Sequence, residues 1–117
     1  MNIVEIGGLK VAEVPVHGSL LRTEQDANDI IGALYGQEVD VVTIPLIRFV
    51  PEFFKLSNGL AGAFLQKFVT YGFRLAVVGD ISEAVSASNA LRDFVYESNK
   101  VGTVMFVPDM GELAARL

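Results

Sequence analysis

The chain has 117 residues, the length of one domain, and no cysteine, which excludes disulfides, thiolate metal sites and thiol catalysis. Lys+Arg is 9 against 14 Asp+Glu, for a net charge of -5, and the cations are scattered. Neither nucleic acid nor an anionic membrane surface is an expected partner for such a chain. Its 51% hydrophobic content and mean hydropathy of +0.44 suit a sheet covered on both faces or a buried interface.

In chain order, "NIVEI" and "KVAEVPV" alternate apolar and polar residues around Gly7-Gly8, which predicts a hairpin. The first residues lack a basic segment followed by an apolar one, so no signal peptide is expected. No apolar run reaches the ~18 residues of a membrane span, and a cytoplasmic location is the expectation. "TEQDANDIIGALYG" predicts a helix. Thr23 and Asp26 sit at capping-box spacing, Ala27, Ile30, Ile31 and Leu34 form one stripe, and Gly36 stops it.

"VDVVTIPLI" is an apolar, β-branched run, the pattern of a strand buried on both faces. Pro45 and Pro51 argue against its continuing past Leu46. "GLAGAFLQKFVTY" places Leu60, Phe64, Leu65 and Phe68 on one helical face. "FRLAVVGD" is the next buried strand. "SNALRDFVYESNK" predicts a helix capped by Ser88, with Leu91, Phe94 and Val95 inward; Asn99 near its end reads either as a left-handed cap or as a residue with another role. "GTVMFVPD" is a further strand, and "DMGELAARL" a closing helix with Asp109 and Glu112 at capping spacing. The expected architecture is a single α/β domain over residues 1-117. It has a mixed, mostly parallel sheet of about five strands with an N-terminal hairpin, right-handed crossovers and four helices.

A hairpin followed by repeated helix–strand units and a short helix after "FVPD" resembles a STAS domain, the fold of bacterial anti-sigma-factor antagonists. The block that carries function there is an Asp-Ser-Ser-Gly-Leu-Gly turn opening a helix. The matching residues here are Leu56, Ser57, Asn58, Gly59, Leu60 and Ala61. "PEFFKLSNGLAGAFLQKF", "FRLAVVGDIS" and "NALRDFVYESNK" are together similar to a bacterial family of STAS-like domains of unknown function, over nearly the whole chain. The resemblance implies a non-enzymatic regulatory module that docks a protein partner. In the antagonists the second Ser of the turn accepts phosphate; here Asn58 stands there without a hydroxyl, and Ser57 remains at the place of the first. Phosphorylation of Ser57 would add roughly -1.5 to -2 charges at the bend.

The candidate partner surface is the strand–helix connection, 49–60, with Phe53, Phe54, Ser57, Asn58 and Gly59, beside the loop from Gly79 to Ser82. Phe49, Phe53 and Phe54 read either as core or as an aromatic contact patch. Ser57 and Asn58 read as helix caps or as a docking point at the carboxyl end of a strand. His17, the only histidine, with Asp80 and Ser82, marks the alternative: a small molecule bound, or an enzyme site, in a pocket at the carboxyl ends of the parallel strands. Asp80 and Asp109 follow strands and are read as caps rather than metal ligands. Neither phosphate-loop motif occurs. No catalytic residue, metal or cofactor is assigned, and self-association is a further expectation from the apolar content.

Overall fold

The computed structural model describes residues 1–117. Five strands form one sheet in the order of the chain: β1 (Asn2–Ile6), β2 (Leu9–Glu13), β3 (Val41–Pro45), β4 (Arg74–Val78) and β5 (Val104–Val107). β1 and β2 are the antiparallel hairpin, with Ile6 opposite Leu9 across Gly7-Gly8; every other pairing is parallel. Both turn glycines have positive φ, 60° and 82°, the geometry a two-residue hairpin turn requires.

The helices are α1 (Glu24–Ala33), α2 (Leu60–Thr70), α3 (Ser82–Ala87), α4 (Asn89–Val101) and α5 (Met110–Arg116). Parallel strands laid down in one direction by right-handed crossovers put their connecting helices on one face. That face holds the main core. Ala12, Val14, Val42, Ile44, Leu75, Val77 and Phe106 of the sheet side pack with Ala27 and Ile30 of α1 and Ala61, Phe64, Leu65 and Phe68 of α2. The opposite face has a smaller core, Ala76, Met105 and Val107 beneath Leu113 of α5.

The capping chemistry expected of the sequence forms. Asp26 N–H donates to Thr23 Oγ1 at 3.3 Å, and Thr23 N–H donates back to Asp26 Oδ2 at 3.0 Å. Ser88 Oγ accepts from Leu91 N–H at 3.1 Å, and Asp109 Oδ1 from Glu112 N–H at 2.8 Å.

Two local features differ from expectation, and the open reading of Asn99 is decided. The second hairpin strand ends at Glu13, because 14–21 turns away to join the segment after β3. A fifth helix, α3, fills the segment between β4 and α4; its six residues are too few to leave a periodic apolar stripe. Asn99 is not a left-handed cap. Gly102, φ 87°, ends α4, and Asn99 lies inside the helix with its amide on β5.

Candidate functional site

β3 ends at Pro45, and the chain crosses to α2 through three short 3-10 turns, 46–48, 51–54 and 56–58. Pro45 removes a ladder donor, and Pro51 starts the second turn with its φ already set. The aromatic side chains of this connection fold under it. Phe53 lies 4.3 Å from Phe49 and 5.3 Å from Phe64 between ring centroids, and Phe64 lies 5.6 Å from Phe68. Most of these rings meet edge to face, the arrangement their quadrupoles favour. Phe53 is 0% exposed and cannot touch a partner, which corrects its assignment to the docking surface. Phe54 is half-buried, edge-on to Phe53 at 5.1 Å. The aromatic patch is core because α2 presents Phe64 directly above it.

The bend beyond is clamped by Asn58. Its Nδ2 donates to Glu52 O at 3.0 Å, and its Oδ1 accepts from Leu60 N–H at 2.8 Å. The residue that caps α2 is Gly59, φ 71°, so neither Ser57 nor Asn58 occupies the cap position itself. Ser57, Asn58 and Gly59 are all exposed. Thus the bend is hydrogen-bonded from within and open to solvent outside.

The residues proposed for a ligand are not brought together. His17 is exposed on the 15–20 loop, beside a depression of about 380 Å³ that also involves Ser19, Asp26, Asp29 and Arg48. Arg48 fastens that loop: its guanidinium donates to Pro15 O at 2.6 Å and to Ser19 O at 2.9 Å. Asp80 borders a different hollow, with Val16, Leu46 and Ile47. Asp80 and Ser82 do meet, as a helix start, where Ser82 N–H donates to Asp80 Oδ1 at 2.9 Å. The Ser82 hydroxyl and N–H hold the Asp80 carboxyl below the usual carboxylate range. Asp26 is also lowered: burial opposes its charge, but the N–H groups of Arg22 and Thr23, the Thr23 hydroxyl and the Arg22 charge together outweigh it.

The largest cavity, about 690 Å³, does lie at the carboxyl ends of the strands, on the α5 face. Glu13, Thr43, Pro45, Val78, Gly79 and Asp109 line it, among others. A pocket at this end was the alternative expectation; Gly79 and Asp109 were singled out for other roles, and Glu13, Thr43 and Val78 were not singled out. Part of the signal was present, since Glu13, Pro45 and Val78 are the last residues of their strands and Gly79 follows one. Thr43 is the one buried polar side chain, 4% exposed, and its hydroxyl points to Ala12 O at 3.5 Å. Glu13 accepts from Asn2 Nδ2 at 2.9 Å, and Asp109 caps α5. No group of three or more His, Asp or Glu converges to hold a metal ion.

Fold and site together define a small α/β domain with a mixed five-stranded sheet and a hollow of about 690 Å³ at the carboxyl ends of its strands. A family model described as a domain of unknown function (DUF4180) matches residues 6–117, and the chain belongs to that family. No curated protein and no solved structure matches it. No helix is long and apolar enough to cross a membrane.

Proposed function

We propose that this protein is a STAS-like, non-enzymatic, cytoplasmic regulatory module of bacterial type that docks a protein partner through the connection between β3 and α2. The observation that carries this reading is the exposed Ser57-Asn58-Gly59 bend, held by the Asn58 clamp at the place where the antagonists carry their phosphate acceptor. Ile47, which opens the same connection, is 71% exposed, and Val16 beside the same hollow is 56% exposed. Large aliphatic groups left in water at the rim suit a partner surface. Ser57 is the residue whose phosphorylation would regulate docking, by placing negative charge at the bend. Capture of a partner from a native extract by the wild type, with loss on Ser57→Glu or Asn58→Asp, is the expected result. A partner indifferent to both changes overturns the assignment of the bend.

A second reading rests on the cavity at the strand ends, whose roughly 690 Å³ falls within the size range of small-molecule sites. In this reading an apolar ligand lies against Pro45 and Val78, with Thr43 and Glu13 as its polar contacts. Saturable binding of an apolar fluorescent probe, lost on Val78→Trp, supports it; binding unaffected by that change rejects it.

A further inference from the structure

The two edges of the sheet are finished differently. At the β5 edge, Asn99 reaches out from α4 to the backbone of Phe106. Phe106 N–H donates to Asn99 Oδ1 at 2.7 Å, and Asn99 Nδ2 donates to Phe106 O at 3.2 Å. One side-chain amide thereby occupies both outward backbone groups of Phe106, one of the residues a further strand would pair with. The β1 edge has no such cover, and β1 pairs only with β2.

The free groups of β1 follow from the bonding of β2. Asp40 N–H donates to Lys10 O at 2.8 Å, and Val14 N–H donates to Thr43 O at 2.9 Å, so Lys10, Ala12 and Val14 turn their backbone toward β3. The alternate residues Leu9, Val11 and Glu13 turn toward β1, where they stand opposite Ile6, Val4 and Asn2. Ile3 and Glu5 are left with N–H and C=O pointing away from the sheet. This strand carries no Pro and no Lys, two of the usual devices for blocking an open edge.

Two outward residues on either side of Val4 match a copy of themselves. When two β1 strands lie antiparallel about a twofold axis at Val4, Ile3 of each faces Glu5 of the other, and each such pair exchanges both backbone hydrogen bonds. On one face the two Val4 side chains meet. On the other, Ile3, 37% exposed in the single chain, is set against the second copy's Glu5, so no like charges stand directly opposed. We propose that β1 is a homodimerisation edge, where a second copy of this chain adds its own β1 antiparallel and continues the sheet across a twofold axis. An extended segment of another protein would use the same backbone groups; a second copy is the occupant proposed because β1 against itself pairs every outward N–H and C=O of Ile3 and Glu5 and keeps the two Glu5 carboxylates out of direct opposition.

Because the chain has no cysteine, Val4→Cys introduces a single thiol. At a non-hydrogen-bonded antiparallel pair the Cα atoms lie about 4.5 Å apart, within disulfide reach. Under mild oxidation the two thiols of an assembled pair should link roughly a hundredfold faster than those of Tyr35→Cys, an exposed control, at low micromolar protein, because assembly raises their effective concentration to the millimolar range. Glu5→Pro should abolish this linking and convert the wild-type dimer to monomer in sedimentation velocity, since it removes an outward N–H and leaves the hairpin bonds intact. Its circular dichroism should match the wild type. Equal linking rates for Val4→Cys and Tyr35→Cys overturn the proposal, as does a wild type that sediments as a monomer at every concentration tested.

Discussion

The two faces of the sheet solve the same burial problem with different means. On one face, α1, α2 and α4 cover the strands, and a chain of phenylalanines from Phe49 to Phe68 fills the space between helix and sheet. On the other, α5 is the only helix, its Leu113 over Ala76, Met105 and Val107, and the strand ends beyond it border the 690 Å³ cavity. The first face is where stability resides. The second has room for something else, because a seven-residue helix cannot cover five strands. Regular crossovers moving in one direction produce this asymmetry without special residues.

Substitutions on either side can break the comparison. Phe64→Ala should have the largest effect, about 3–5 kcal/mol of unfolding free energy, because it removes a ring touching Phe49, Phe53 and Phe68 at once. Denaturant titration measures it. Leu113→Ala should cost about 2 kcal/mol, the low end for a buried leucine, because neighbours bordering the cavity can relax into the space. A loss equal to that of Phe64→Ala would mean that the thin face is as integral to stability as the thick one. Asn99→Ala should cost about 1–3 kcal/mol by leaving Phe106 N–H and C=O without their partner, and faster amide exchange at Phe106 should accompany it.

The smallest effect should be that of pH at the thick face. The Asp26 carboxyl is depressed in the folded chain, so its contribution is present above the ordinary carboxylate value of 3.8 and is lost as pH falls through the lower folded value. Asp26→Asn should therefore lower stability at neutral pH and flatten the acid limb of the melting-temperature profile. An acid limb unchanged by that substitution would show that Asp26 contributes nothing to it.

Much of this molecule is legible residue by residue. The Thr23–Asp26 box, the Ser88 and Asp109 caps, and the apolar runs at 41–45 and 74–78 depend on neighbours within a few positions, and all form where expected. The candidate site is legible only in part. The bend at Ser57 and the pocket at the strand ends follow from strand–helix alternation. The burial of Phe53 does not, because it depends on where α2 lands. His17 and Asp80 were grouped by chemistry, yet the Arg48 anchor holds the 15–20 loop in its own place.

Composition and periodicity determined the element types, the parallel sheet with its hairpin and the caps, because short-range hydrogen bonding and the alternation of side chains are properties of the chain itself. Only the tertiary structure decided which phenylalanines are core, which face keeps a cavity, and which edge stays open. Each of these depends on distant segments meeting: Phe64 over Phe53, α5 over Met105, and Asn99 against Phe106. The Asn99 side chain shows the limit most clearly: along the chain its place near a helix end leaves its role open, and once folded it covers Phe106 at the β5 edge of the sheet.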